Sequence, residues 1–202
     1  MSERLKEVYS RLSERYASGD IPWDDPLPPP EVLDFVSSLE VGRALDLGCG
    51  YGRASIYLAT QGWAVDGVDF VEQALEVAQY RSKEAGVSVH FHLALITDLD
   101  FLNGPYNFAL DVGCGHALDD EGLRLYKEQL CRLLAPGGYF MLFARMKEEA
   151  QHDDGESPSG LYEDKLLAVF EEGFTLTWAE HSETFLADGS SWPSAWFRFR
   201  RK

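Results

Sequence analysis

Three glycines and one aspartate have the residue types and the spacing of a nucleoside-binding site. Gly48, Gly50 and Gly52 directly follow an apolar run that ends at Leu47. Glycine lacks a Cβ atom, so it permits positive φ angles and lets a ligand approach the bare backbone. Asp69 ends the next apolar run, 21 residues beyond Gly48. An acid at this distance, at the end of a strand, can accept hydrogen bonds from both hydroxyls of a ribose.

The position of the third glycine indicates which kind of nucleoside is bound. The dinucleotide fingerprint requires its third glycine three residues after the second, and Arg53 occupies that position. The sequence therefore favours a nucleoside without a bridging pyrophosphate. A nicotinamide-dependent oxidoreductase is the less favoured alternative.

Three further side chains that could bind a ligand or transfer a proton follow later predicted strands. Asp111 and His116 lie near Gly113 and Gly115, at the carboxyl edge where open parallel sheets bind their ligands. His116 either acts as a base or caps the next helix. Arg145 ends another strand, where it either binds an anionic substrate or forms a surface ion pair.

Alternating strand and helix patterns predict the framework that positions these residues. Helical periodicity is found over residues 2–17, 53–61, 71–81, 121–134 and 161–172, and a further helix begins at Glu31 after three prolines. Strands are predicted over residues 44–47, 63–69, 88–93, 106–116, 139–144, 174–180 and 195–202. The basic residues of the last strand alternate with aromatic ones, which favours the solvated face of an edge strand over a nucleic-acid site.

Three motifs in this order resemble the class I S-adenosylmethionine-dependent methyltransferases. They are Leu45-Asp46-Leu47-Gly48-Cys49-Gly50-Tyr51-Gly52, Gly67-Val68-Asp69-Phe70 and Leu133-Leu134-Ala135-Pro136-Gly137-Gly138-Tyr139. The resemblance covers residues 22–145 and is strongest to small-molecule members such as the thiopurine and tellurite methyltransferase groups. It implies a three-layer Rossmann-like α/β fold with a mostly parallel seven-stranded sheet and an antiparallel C-terminal hairpin strand.

The resemblance also implies the cofactor, S-adenosyl-L-methionine, with S-adenosyl-L-homocysteine as its product. Carried over onto this sequence, the cofactor-binding residues are Asp46, Gly48, Cys49, Gly50, Gly52, Arg53, Asp69, Phe70, Leu95, Ile96, Thr97 and Asp111. Two positions depart from the family pattern. Leu95 stands where the family has an acid for the adenine amino group, so that bond is absent or made by Asp98, and Asn107 replaces another acid.

Methyl transfer from a sulfonium needs alignment of the reacting atoms and exclusion of water more than it needs a catalytic triad. We therefore expect in-line transfer of a methyl group to a small-molecule acceptor, with Asp111 and His116 as the candidate catalytic residues and Trp23, His116 and Arg145 as candidate substrate contacts. The departures at Leu95 and Asn107 keep open an alternative, a cofactor-binding sensor or partner subunit without turnover.

A proline-rich segment with a single tryptophan, Ile21–Pro30, links the first predicted helix to the second. Many small-molecule members of the family have a similar Pro-Trp-Asp segment near the cofactor. We therefore divide the chain into residues 1–30, an N-terminal helix and arm that act as a lid, and residues 31–202, the methyltransferase domain. Packing of the first helix on the sheet is the alternative for this segment.

Composition limits the remaining possibilities. A formal net charge of −16 over 202 residues argues against a protein that binds nucleic-acid backbones through a basic face. Cys49, Cys114 and Cys131 cannot all pair and lack zinc-ligand spacing, which favours a reducing compartment and no metal. No apolar run approaches the ~20 residues of a membrane span. We expect a cytoplasmic monomer or homodimer that binds neither nucleic acid nor membrane.

Overall fold

The computed structural model describes residues 3–19, 21–147, 160–186 and 189–202. The polar sequence of residues 147–160 predicts a mobile loop, and nearly all of this segment lies outside the described ranges. The helices are α1 (Glu3–Ser18), α2 (Pro30–Ser37), α3 (Arg53–Thr60), α4 (Glu72–Glu84), α5 (Asp120–Leu133) and α6 (Glu163–Glu171). The strands are β1 (Arg43–Leu47), β2 (Ala64–Asp69), β3 (Val89–Leu93), β4 (Tyr106–Val112), β5 (Leu134–Arg145), β6 (Phe174–Phe185) and β7 (Ser191–Arg201).

The seven strands form one sheet in the order β3-β2-β1-β4-β5-β7-β6. Neighbouring strands from β3 through β2, β1 and β4 to β5 run parallel to one another. By contrast, β7 runs antiparallel to both β5 and β6. The strand order reverses at β1, because β2 lies on one side of it and β4 on the other. The predicted fold is confirmed, including the antiparallel C-terminal hairpin. Within the described ranges, no helix is both long and apolar enough to cross a membrane.

Helices cover both faces of the sheet. On one face, α2 and α3 pack Val36 and Leu58 against Ala44 of β1. On the other, α5 and α6 pack Leu130 and Phe170 against alternate strand residues. Successive β1 side chains point to opposite faces and are all buried from Ala44 to Leu47, as expected of a central strand in a three-layer fold. The tip of β1 is thereby held rigidly in the centre of the carboxyl edge.

Two predicted strands differ from the observed ones. The strand predicted to reach His116 ends at Val112, because Gly113 has φ 88° and leads into a 3-10 turn over Gly115–Ala117. The last strand is internal rather than at the sheet edge, since β6 pairs along its outer side. Its Arg198 guanidinium lies 4.3 Å from the Phe35 ring centroid, so this basic residue packs on an aromatic face instead of facing water alone.

Candidate functional site

The turn after β1, the glycine bend (residues 48–52), lies at the point where the strand order reverses. The N–H groups of Gly48 and Cys49 donate to the carbonyl of Val68 at 2.8 and 2.9 Å. These bonds join the bend to the end of β2. Gly52 precedes the first residue of α3, so the positive end of the helix dipole points at the bend.

All three glycines of the bend have positive φ, 69° at Gly48, 53° at Gly50 and 78° at Gly52. A Cβ atom at Gly48 would come within 2.4 Å of the Cys114 Cβ atom, and one at Gly52 within 3.1 Å of Phe91. Glycine at these two positions is therefore explained by backbone conformation and close packing of the protein itself. At Gly50 the nearest atom is the Tyr16 hydroxyl oxygen, 2.9 Å from the Cβ position.

Asp69 lies at the tip of β2, beside the glycine bend. Its Oδ2 accepts from the Gly50 N–H at 2.8 Å and its Oδ1 from the Val71 N–H at 2.9 Å. The side chain is 5% exposed, and burial raises the pKa of this carboxyl. A carboxylate offers about four lone-pair sites, so two sites remain for hydroxyl groups of a ligand.

Asp46 and Cys49 lie at the base of the glycine bend and are buried. The Ser55 hydroxyl donates to Asp46 Oδ2 at 2.6 Å, and burial raises the pKa of Asp46 to about 6. Burial also raises the pKa of the Cys49 thiol, which keeps this cysteine protonated. Both residues connect β1 to α3 or to the bend, and we assign them a supporting role.

Asp111 does not have the geometry of a general base. It is 0% exposed, and its oxygens accept from the N–H groups of Cys114 and Gly115 and from the Tyr126 hydroxyl, at 2.7 to 2.8 Å. Burial raises its pKa to about 6. Because all three donors come from the protein, the predicted catalytic role is corrected to a positioning role for the turn that carries Cys114.

His116 is near the carboxyl edge, but its protonation argues against the predicted base. Its Nδ1 accepts the backbone N–H of Arg145 at 3.4 Å, so in the neutral ring the proton is carried by Nε2. Burial, together with the positive charges of Arg145, Arg11 and Arg4, lowers the pKa of His116 to about 4. At neutral pH the imidazole is therefore uncharged and only weakly basic, and it can donate a hydrogen bond through Nε2.

Trp192, which no sequence motif indicated, joins His116 and Arg145. Its ring lies 6.5 Å from His116, and the Arg145 guanidinium carbon is 5.5 Å from its centroid. Phe143 contacts the same ring at 6.0 Å. Trp192 lies at the start of β7, 47 residues after Arg145 in the chain. Only the pairing of β5 with β7 brings these side chains together.

Helix α1 covers the glycine bend. The Tyr16 ring packs on Tyr51 at 5.1 Å and on Trp23 at 6.4 Å, and Tyr9 packs on Phe70 at 5.6 Å. Trp23 is 42% exposed, and its ring contacts Tyr16 and Arg15. Ring contacts therefore connect Trp23 to α1, whereas His116 and Arg145 contact Trp192.

The arm over residues 21–30 is tied to the domain by two ion pairs. Arg81 donates to both carboxylate oxygens of Asp24 at 2.6 and 2.7 Å. Arg53, predicted to bind the cofactor, instead donates to Asp25 at 3.2 Å. Its backbone begins α3 at the glycine bend, whereas its side chain pairs with the arm, and the predicted cofactor contact of Arg53 stays a prediction.

The segment predicted to hold adenine follows β3. Ile96 is buried in the main core, Leu95 and Thr97 are half-buried, and Asp98 is exposed. The Ala94 N–H donates to the Asp69 carbonyl at 3.0 Å, so the segment starts beside the tip of β2. Asn107, the other departure, accepts the Arg43 N–H at 2.9 Å and has a structural role.

Other candidate sites lie elsewhere in the molecule. His90 and His92 are on the edge strand β3, and His92 contacts Asp66 at 2.9 Å. Among the described residues, no group of three or more His, Cys, Asp or Glu side chains has metal-site geometry. Two surface clefts, of about 500 and 310 Å³, are lined by residues of α4 and β3 and by residues of α2, β6 and β7.

Part of the chain matches a family of methyltransferase domains. Residues 44–138 match the family described as Methyltransferase domain. The chain is 25% identical over 182 residues to a 2-heptyl-1-hydroxyquinolin-4(1H)-one methyltransferase of Mycobacteroides abscessus, covering 87% of this chain and 80% of that protein. It is 34% identical over 114 residues to a ubiquinone biosynthesis O-methyltransferase of Xylella fastidiosa, covering 47% of this chain and 46%, about half, of the relative.

A solved structure supports the fold. The Burkholderia thailandensis 1,6-didemethyltoxoflavin-N1-methyltransferase, solved with 1,6-didemethyltoxoflavin and S-adenosylhomocysteine, superposes with a TM-score of 0.78. The two sequences are 20% identical, and the match covers 100% of this chain and 92% of the other.

Proposed function

Since the chain is a class I S-adenosylmethionine-dependent methyltransferase that acts on a small-molecule acceptor, we propose that the glycine bend and Asp69 hold its cofactor. The observation that carries this proposal is the 2.8 Å bond from the Gly50 N–H to Asp69 Oδ2. It sets the bend and the acid of the neighbouring strand tip side by side, so one nucleoside can reach both. The relatives are enzymes, and the alternative of binding without turnover is not retained.

The residues present fit this cofactor. Asp69 keeps two lone-pair sites for ribose hydroxyls, and the backbone of the glycine bend fits the amino-acid tail. Asp46, Asp69 and Asp111 place three carboxyls within electrostatic range of one another, which suits a ligand with a cationic amine and a sulfonium. The segment 95–97 supplies the adenine wall, with backbone groups in place of the acid that Leu95 replaces.

When bound, S-adenosylmethionine supplies a methyl carbon on a positively charged sulfur, which needs no protein nucleophile to activate it. The work of this chain is therefore orientation and exclusion of water, which supply large rate factors in well-aligned reactions. Asp111 fixes the turn that carries Cys114 and Gly115 at the edge of the site. His116 donates from Nε2 toward the acceptor, and no side chain is assigned as a base.

Residues 1–30 act as a lid in this proposal. The Tyr16 hydroxyl lies over Gly50, so a nucleoside enters or leaves the glycine bend only when α1 moves. The arm with Trp23 links this helix to the domain of residues 31–202, and the pair of Asp24 with Arg81 anchors the link. Closure of α1 over a bound cofactor then excludes water from the site.

The names of two similar proteins specify ring compounds as acceptors, and we propose a ring compound for this chain as well. Cys49, Cys114 and Cys131 are free thiols, which supports a cytoplasmic location. We also propose that the protein is a monomer or homodimer and that it acts without nucleic acid or a membrane.

Calorimetric titration of the full chain with S-adenosylmethionine and S-adenosylhomocysteine tests the site. We expect both to bind, and Gly50→Val to abolish binding, because a branched side chain would enter the bend and strain its positive φ. Gly86→Ala, which replaces another positive-φ glycine where a Cβ meets open space, is the matched control and should keep the affinity. Binding that survives Gly50→Val would place the nucleoside elsewhere.

A further inference from the structure

Three arginines converge on His116 at the acceptor side of the site. Arg4 and Arg11 are seven residues apart on α1, which places them on one face of the helix, and α1 packs against the 3-10 turn that contains His116. Arg145 reaches the same imidazole through its backbone N–H. The charges of all three residues act on His116. We call Arg4, Arg11 and Arg145 the arginine cluster.

Within the described part of the protein, no member of the arginine cluster forms an ion pair. The arginine ion pairs found there involve Arg43, Arg53, Arg81, Arg124 and Arg132. The Nη2 atom of Arg4 is buried without a hydrogen-bond partner. Burial also lowers the pKa of Arg145, with no acid compensating. A buried guanidinium nitrogen without a partner is costly, and an anion would satisfy it.

The charges of the site are separated by sign. The carboxyls of Asp46, Asp69 and Asp111 lie around the proposed cofactor, whereas the arginine cluster lies beyond the 3-10 turn. This positive region is notable in a chain with a formal net charge of −16, because acids outnumber bases elsewhere. An acceptor that matches this separation has its negative charge on the side that faces the arginine cluster, remote from the cofactor.

The same region offers a flat apolar wall. Trp192 contacts Phe143, His116 and Arg145 through its ring. A planar ring can stack against such a wall, while guanidinium groups bind an oxyanion at its rim through paired N–H donors. The neutral His116 adds one more donor at Nε2.

We propose that the methyl acceptor is a planar aromatic anion, whose charge is held by the arginine cluster and whose ring packs on Trp192. This inference rests on the proposed function for the identity of the site.

The test uses the full chain saturated with S-adenosylhomocysteine, titrated by NMR with benzoate and with its neutral isostere benzamide. We expect benzoate to bind at least tenfold more tightly than benzamide, and its affinity to fall with added salt. Arg4→Gln and Arg145→Gln should each weaken benzoate binding at least tenfold, and Arg145→Lys, which keeps the charge, should weaken it less. Arg15→Gln is the matched control on α1, since that guanidinium lies over Trp23, and should leave benzoate binding unchanged.

The affinity for S-adenosylhomocysteine, measured separately in each variant, distinguishes the two proposals. Equal binding of benzoate and benzamide, or no effect of Arg4→Gln and Arg145→Gln, would overturn the anion inference while cofactor binding stands. Failure of S-adenosylhomocysteine to bind, together with arginine-dependent benzoate binding to the free protein, would overturn the cofactor assignment and leave the anion site intact.

Discussion

The amide of Gly50 donates to Oδ2 of Asp69 at 2.8 Å, which links the tips of β1 and β2 through a single hydrogen bond. Gly50 belongs to a turn with positive φ and Asp69 to the end of a buried strand. Their contact means that the group proposed to bind ribose also helps to shape the turn proposed to bind the amino-acid tail. The two halves of the cofactor site are therefore coupled.

Asp69→Asn should weaken S-adenosylhomocysteine binding by at least a factor of ten. The substitution keeps the shape but removes the charge, and a hydrogen bond to a charged group contributes about 1.5–3 kcal/mol. Calorimetry measures the affinity directly. Asp34→Asn is the control, because Asp34 is an exposed residue of α2, and it should change the affinity less than about twofold. Unchanged affinity in Asp69→Asn would remove the ribose assignment.

The buried carboxyl of Asp111 should make stability depend on pH. Its pKa in the folded chain is about 6, against 3.8 for an aspartate in water. Below pH about 4 the group is protonated in both the folded and the unfolded chain, and between about 4 and 6 the unfolded chain loses its proton first. The free energy of unfolding of the wild type therefore falls as pH rises through this window.

Asp111→Asn removes this titration. Relative to the wild type, the variant should gain stability between pH about 3.5 and 7 by an amount on the order of 2 kcal/mol. Guanidinium unfolding at several pH values measures the difference. Tyr126→Phe, which removes one donor to the carboxylate, should raise the pKa of Asp111 further and enlarge the effect. A difference between Asp111→Asn and wild type that does not vary with pH would contradict the assignment.

His116→Gln should retain activity within about tenfold. Glutamine keeps an N–H donor near the position of Nε2 but cannot accept a proton, and general bases contribute typically about 10²–10⁴-fold. An NMR titration should show the imidazole charging at about pH 4. Because the unfolded histidine charges first, this group makes the folded state lose stability as pH falls from about 6.5 to 4. Loss of activity by more than about a hundredfold would restore the base role.

Hydrogen exchange of α1 should slow when S-adenosylhomocysteine binds. The lid proposal requires Tyr16 to leave the Gly50 site and return, so bound ligand under the closed helix suppresses opening. We expect at least tenfold slower exchange for amides around Tyr16, with little change in α5. Equal exchange of α1 with and without ligand would rule out the lid.

The ion pair between Asp24 and Arg81 should support the closed arm modestly. This pair is partly exposed, and such pairs contribute about 0–1 kcal/mol, so Asp24→Asn should accelerate α1 exchange by up to about fivefold. Asp25→Asn breaks the more exposed pair with Arg53 and should have a smaller effect. Exchange that is faster in Asp25→Asn than in Asp24→Asn would assign the anchor to the other pair.

Local patterns in the sequence were enough to predict most of the elements and to single out Gly50 and Asp69, which belong to the proposed cofactor site. The strand, glycine turn and helix around Gly50 are adjacent in the chain, and each is determined by short-range chemistry: apolar runs, positive φ and helix periodicity. The spacing from Gly48 to Asp69 reflects one turn, one helix and one strand, so the proximity of the glycine bend to Asp69 also follows from a local unit. The same logic failed at Gly113, where a turn ended the strand predicted to reach His116.

Tertiary structure alone brings together the residues that we propose to contact the methyl acceptor. Arg4, His116, Arg145 and Trp192 come from a terminal helix, a turn and two strands, and they meet only because β7 pairs with β5 and α1 lies over the carboxyl edge. Burial then determines how these groups behave. The Asp111 carboxylate accepts hydrogen bonds from three protein donors, and the pKa of His116 is lowered to about 4. Neither effect can be read from residue types, because in water the carboxylate would have no fixed protein donors and the imidazole would have a pKa of 6.5.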